Sequence, residues 1–149
     1  MTNTTVKIKK LSNQAIIPTR GSEYAAGYDL YACPKGQDAV FIAPGETVMI
    51  GTGISAEIPV GTFGGVFARS GLSIKQGLAP ANKVGVIDSD YRGEIMVALH
   101  NHSSEERCVM YGDRIAQLVI IPFLSVNFEE ADSLGDTNRG AGGFGSTGK

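Results

Sequence analysis

Tryptophan is absent from this 149-residue sequence, and only 5 Tyr and 6 Phe are present. Single-strand nucleic-acid platforms stack bases on aromatic plates, so the scarcity weighs against one. Nor is there a surplus of basic charge: 13 Lys and Arg face 15 Asp and Glu, for a formal net charge of −2. Duplex-binding modules usually carry a clear cationic excess, so that class is disfavoured too. The 2 cysteines, Cys33 and Cys108, lie far apart in no metal-ligand spacing, which fits a reducing compartment better than a disulfide framework. Long apolar runs are also missing. The longest, Ile115 to Leu124, contains Gln117 and Pro122 and is too short to cross a bilayer. The first residues lack the apolar stretch of a secretory leader. The expectation is a cytoplasmic protein with neither nucleic acid nor membrane as partner.

What is abundant is glycine. Its 20 occurrences are about twice the ordinary share, which signals many tight turns or backbone pressed against a ligand. With 42% hydrophobic and 19% charged residues, the chain can bury a core as one globular domain without staples.

Periodicity sets the fold class. From Val48 to Ile58 the even positions are Val48, Ile50, Thr52, Ile54, Ala56 and Ile58, alternating with Met49, Gly51, Gly53, Ser55 and Glu57. That period of two predicts a half-buried strand. Ile95, Val97 and Leu99 alternate likewise with Glu94, Met96, Ala98 and His100. Turn residues recur at Pro44-Gly45, Pro59 to Gly61, Asp90 to Gly93, Asn101 to Glu105 and Tyr111 to Asp113. No dozen-residue window carries a helical stripe; a turn or two of helix fits only after Ser70, before Gly77. The prediction is an all-β fold, a distorted jelly roll or β-barrel. The C-terminus departs from this pattern. Acids at Glu129, Glu130, Asp132 and Asp136 give way to Arg139 and a glycine-rich end, in which Arg139, Phe144, Ser146 and Thr147 could wrap an anionic, ring-bearing ligand.

Several segments carry chemistry. Residues 143–149, GFGSTGK, fit the start of a P-loop, but no Mg²⁺-binding Ser or Thr and no helix follow the lysine, so that reading fails. Residues 68–73, ARSGLS, leave an apparent strand from Phe63 to Phe67 and offer a cation, a hydroxyl and accessible N–H groups suited to a phosphate. Residues 82–94, NKVGVIDSDYRGE, read as a β-hairpin with Asp88, Asp90 and Tyr91 at its turn. His100 and His102 share a strand face, but with no third ligand of evident spacing they do not read as a zinc site.

Together these segments resemble the trimeric dUTPases over nearly the whole chain. The family's five motifs are matched in order by residues 25–30 (AAGYDL), 69–72 (RSGL), 85–93 (GVIDSDYRG), 112–118 (GDRIAQL) and 139–148. One position departs: the proline that commonly precedes Arg-Ser-Gly is Ala68 here, which removes a source of stiffness from that turn.

The resemblance implies hydrolysis of dUTP to dUMP and pyrophosphate, limiting uracil incorporation into DNA and supplying dUMP for thymidylate synthesis. Water attacks the α-phosphorus with Mg²⁺ on the triphosphate. It further implies a homotrimer with shared sites, in which residues 1–136 form the jelly-roll domain and residues 137–149 an arm closing over a neighbour's site. By position, Asp88 matches the acid that orients the water and accepts its proton. Arg69, Ser70 and Gly71, helped by Gln117, match the phosphate-holding groups. Arg139, Gly145, Ser146 and Thr147 match the clamp on the terminal phosphate, and Phe144 the plate over uracil. Asn82 with Gly85, Val86, Ile87 and Asp88 matches the base-reading segment, Tyr91 the residue against deoxyribose, and Met96 a further contact. Asp29 matches a residue beside the metal's water shell, without direct ligation. A deoxycytidine triphosphate deaminase shares this fold and part of the second motif, but the tail and the IDSDY segment weigh against it. A non-enzymatic jelly-roll module would bind triphosphate without turnover.

Overall fold

The apolar run near the C-terminus, RIAQLVIIP, becomes β12 (Arg114–Pro122), a central strand with neighbours on both sides. Paired on both sides, the strand satisfies its backbone along most of its length, and it buries Ile115, Ala116 and Leu118 while Val119 to Ile121 stay half-buried. In this computed structural model, which describes residues 4–143, β12 lies in a five-stranded sheet with β2 (Thr19–Arg20), β3 (Tyr28–Tyr31), β7 (Thr62–Phe67) and β9 (Val84–Ile87), in the order β2-β3-β12-β7-β9. A three-stranded sheet orders β5 (Thr47–Gly51), β10 (Met96–Asn101) and β8 (Leu78–Pro80) as β5-β10-β8. Two ribbons complete the shell: β1 (Lys7–Lys10) with β6 (Ile54–Glu57), and β4 (Ala39–Ile42) with β11 (Arg107–Met110). Every pairing is antiparallel. The result is the expected all-β, jelly-roll-like architecture.

The core is drawn from nearly all of these strands. Leu30, Ile42, Ile50, Ile54, Leu78, Val97, Leu99, Val109 and Ile115 are fully buried together with Ile58 and Ile95. The buried Asn101 is fully partnered: its amide donates to the carbonyls of Ile42 (2.9 Å) and Glu105 (2.8 Å), and its Oδ1 accepts from the Ser103 N–H and hydroxyl. The expected short helix is α1 (Ser70–Gln76), ended by Gly77 with φ 69°, a left-handed cap that costs a residue without Cβ little. Cys33 is buried and Cys108 exposed, both as free thiols. None of the described helices is long and apolar enough to cross a membrane.

Two sequence expectations are corrected. The alternating segment from Val48 to Ile58 is not one strand but β5 and β6, which pair with different partners. Gly53, with φ 68°, breaks the ladder, and a side chain there would collide with Ala15 and Cys33. Positions 51–55 are consequently buried on both faces, and the alternation survives only at the ends. The segment from Asn82 to Glu94 is likewise no hairpin. β9 pairs with β7, whereas β10 pairs with β5 and β8, so residues 88–95 form a corner between sheets. Its end is fixed by the Ile95 N–H on the Ile54 carbonyl, 2.8 Å.

Candidate active site

One row across the five-stranded sheet organises the phosphate-type residues. Gln117 on β12 has Asp29 of β3 as its partner on one side and Phe67 of β7 on the other. Arg69 follows two residues after Phe67, where β7 gives way to α1. Its Nε–H donates to Asp29 Oδ1 at 2.7 Å and its Nη1 to the Arg114 carbonyl at 3.2 Å. Arg114 in turn donates through Nη1 to Asp29 Oδ2 at 3.3 Å. Asp29 is nearly buried and serves both guanidinium groups, while the Arg69 side chain stays 25% exposed. A charge-assisted contact of this kind fixes a flexible arginine in advance of any ligand.

Gln117 secures the same turn from its other side. Its Nε2 donates to the Ala68 carbonyl at 2.9 Å. Gly27 is what makes room, because a Cβ there would overlap the Gln117 amide oxygen. The turn that lacks proline at position 68 is therefore held by a side-chain bond. Ser70 and Gly71 are exposed beyond it, and a Cβ on Gly71 would meet nothing within 4 Å in this protomer. Packing inside one copy does not require that glycine; its bareness leaves backbone N–H groups accessible.

Arg114 had no assigned role in the sequence, and periodicity could not have supplied one. On a regular strand Arg114 and Gln117 would face opposite sides, being three positions apart. The register of β12 against β3 shifts between Arg114 and Ala116, and such a bulge changes parity and re-aims side chains. Both residues thus serve the Asp29 side of the sheet.

The base-reading candidates lie elsewhere on the protomer. Asn82 is exposed at the turn from β8 to β9, beside Lys83, whose φ of 64° is left-handed. Gly85 is buried against β7, where a Cβ would stand 3.2 Å from Val66 Cβ and 3.4 Å from the Asn82 amide nitrogen. Val86 is exposed and Ile87 half-buried. Asp88 is exposed at the corner, its carbonyl accepting the Tyr91 N–H at 3.2 Å. The Tyr91 hydroxyl donates to the Glu94 carbonyl at 3.0 Å, and Met96 opens β10 with its side chain exposed.

Asp88 and Arg69 do not meet within one copy, whereas Asn82, just before Val84, lies at the Phe67 end of the ladder. Val84 pairs with Phe67 and Ile87 with Gly64, so the β7–β9 ladder puts Arg69 beyond one end and Asp88 beyond the other. At ~3.3 Å per residue the separation is on the order of 15 Å. Arg139 lies on the segment after β12, exposed, with its Nε–H on the Gly142 carbonyl at 2.8 Å. Phe144, Gly145, Ser146 and Thr147 lie outside the described residues. No cluster of three or more His, Cys, Asp or Glu side chains gathers among the described residues.

Known proteins resemble this chain in sequence and fold. The family model dUTPase matches residues 13–148. The deoxyuridine 5'-triphosphate nucleotidohydrolase of Syntrophotalea carbinolica is 46% identical over 148 residues, covering 99% of both chains. That of Desulfitobacterium hafniense is 53% identical over 135 residues, 89% of this chain and 87% of its own. Among solved structures, a variant of the Staphylococcus bacteriophage 80alpha dUTPase with dUpNHpp superposes with a TM-score of 0.89 at 27% identity, covering 99% of this chain and 100% of that one. An arginine braced on a buried acid, a glutamine-held turn and a matching sequence from end to end lead to one conclusion: the chain belongs to the dUTPase family.

Proposed function

We propose that the chain hydrolyses dUTP to dUMP and pyrophosphate in sites that combine Arg69 of one copy with Asp88 of another. The water oxygen bonds to the α-phosphorus, the bond to the bridging oxygen breaks, and pyrophosphate leaves. Asp88 orients the water and takes its proton. Arg69, Ser70 and Gly71 hold the phosphates, with Gln117 keeping their turn in place. Asn82 and the backbone from Gly85 to Asp88 read the uracil edge, Tyr91 packs against deoxyribose where a 2′-hydroxyl would clash, and Met96 adds a contact. Phosphoryl transfer depends mainly on alignment and charge stabilisation, so pre-positioned groups of this kind supply most of what it needs. The observation that carries the reading is the Arg69 guanidinium, fixed by Asp29 and partly exposed at the turn.

The separation of Asp88 from Arg69 along the β7–β9 ladder supports a homotrimer with shared sites. Residues 137–149 act as an arm, bringing Arg139, Phe144, Gly145, Ser146 and Thr147 over the terminal phosphate and the base. The donor set suits magnesium carried on triphosphate oxygens and water, since both oxygens of Asp29 face arginines and Asp29 would reach the ion only through water. When bound, the ion neutralises charge on the phosphates.

The test offers dUTP, UTP, dTTP and dCTP with Mg²⁺ and separates the products. Only dUTP should yield dUMP and pyrophosphate, and Asp88→Asn should lower kcat about 10²–10⁴-fold. Equal turnover of UTP would remove the Tyr91 assignment, and amine release from dCTP would replace the hydrolase by a deaminase.

A further inference from the structure

The corner that carries Asp88 and Tyr91 is tied to the rest of the fold by the carboxylate of Glu94. Glu94 is almost buried, its side chain 10% exposed. Its Oε1 accepts the Gly53 N–H at 2.9 Å, and its Oε2 accepts from Lys35 Nζ at 2.8 Å. Two glycines shape this seat. A Cβ on Gly51 would stand 2.5 Å from Glu94 Oε1, and Gly53 supplies the donated N–H from the kink between β5 and β6. The neighbouring backbone is pinned as well: the Thr52 hydroxyl donates to the Ile95 carbonyl at 2.6 Å.

Tyr91 inherits its position from this seat. Its hydroxyl donates to the Glu94 carbonyl, and its ring lies so closely over Gly93 that a Cβ there would overlap it. The ring therefore moves with the backbone of residues 93 and 94, and that backbone is held by the Glu94 side chain. Lys35 completes the seat from solvent, its own side chain 80% exposed, and its hydrogen bond to Glu94 raises the lysine's pKa. An ion pair with one member so exposed contributes little, so the part-buried bond to Gly53 is the anchor.

We infer that Glu94 is a positioning residue for sugar selection: through its hydrogen bond to the Gly53 N–H it holds the Tyr91 ring where a 2′-hydroxyl would clash. The inference rests on the assignment of Tyr91 to the deoxyribose. Reach, rather than charge, is what it requires. Glu94→Asp keeps the charge and shortens the side chain by one carbon, about 1.5 Å. Glu94→Gln keeps the reach and an oxygen acceptor while losing the charge.

The experiment measures kcat/KM for dUTP and for UTP in the wild type and both variants, each checked for a cooperative melting transition. A ring that shifts away from the 2′ position relieves the clash that rejects UTP, so the dUTP-to-UTP ratio should fall at least about tenfold in Glu94→Asp. Glu94→Gln should keep the ratio within about threefold of wild type, a rescue by reach alone. A purely structural role would lower both kcat/KM values together and leave the ratio unchanged. That result in Glu94→Asp overturns the inference while leaving the Tyr91 assignment standing, as does an equal fall in both variants. A wild type that does not prefer dUTP removes the assignment itself, and the inference with it.

Discussion

Asp29 on β3 and Arg69 just past β7, two strands that flank β12 and 40 residues apart in sequence, are joined by a single 2.7 Å hydrogen bond from Nε to Oδ1. The acid also accepts from Arg114, so one buried carboxylate orients two cations at the turn after β7. Asp29→Asn puts an amide where a second acceptor oxygen is needed and removes the compensating charge. The expected result is a fall of about 10–100-fold in kcat/KM for dUTP, equivalent to roughly 1.4–2.7 kcal/mol of transition-state stabilisation. Unchanged steady-state kinetics would show that Arg69 needs no brace.

Sharing of sites between copies is tested by mixing two inactive variants. Asp88→Asn lacks the acid and Arg69→Ala lacks the clamp, so each homo-oligomer should be nearly inert. Co-refolded in equal amounts, they should regain about a quarter of wild-type activity, because random assembly pairs an intact acid with an intact clamp at one interface in four. A mixture no more active than its components would place both residues in a site within one copy.

Much of this molecule was legible in its sequence, and the failures share a cause. The glycine-ended helix after Ser70 and the all-β class follow from local turn chemistry and period. The seam between β5 and β6 did not, because Gly51, Gly53 and Ser55 look like the polar face of one strand when they are buried against other elements. The corner from Asp88 to Glu94 looked like a hairpin because turn residues announce a reversal without saying which strand receives the chain. Arg114 escaped for a related reason: a bulge changes side-chain parity without a signature of its own. At position 68, by contrast, sequence raised a doubt about rigidity that the Gln117 bond to the Ala68 carbonyl answers.

The two histidines give a direct spectroscopic check. Their rings meet edge to face at 4.3 Å, and the His100 Nδ1 lies 2.8 Å from the Thr47 hydroxyl. Partial loss of solvation, then the proximity of His100 and Lys83, lowers the pKa of His102 below 6.5. The neutral ring is therefore favoured in the fold, and the unfolded chain binds more protons as pH falls through the ordinary value. That contribution opposes folding in acid and vanishes above it. NMR titration should place the His102 midpoint below 6.5, and His100→Gln should move it upward. A midpoint insensitive to His100→Gln would discount the pairing.

Asn101 is a stability test that leaves the site untouched. Replacement by Leu would remove the buried amide donor from the Ile42 carbonyl and the acceptor from the part-buried Ser103 N–H, while the Glu105 carbonyl keeps the Ser103 hydroxyl; the loss of the buried bond costs about 1–3 kcal/mol. Urea unfolding should show a lower midpoint with an unaltered slope, equivalent to about 1–3 kcal/mol of stability. Wild-type stability in that variant would mean the network is replaceable by apolar packing.

The β7–β9 ladder has a consequence for when the protein works rather than how. With Asp88 and Arg69 beyond its opposite ends, one chain holds the two residues out of each other's reach. On the proposed shared site, activity depends on encounter between chains, so specific activity should fall when the enzyme is diluted below the concentration at which its copies associate.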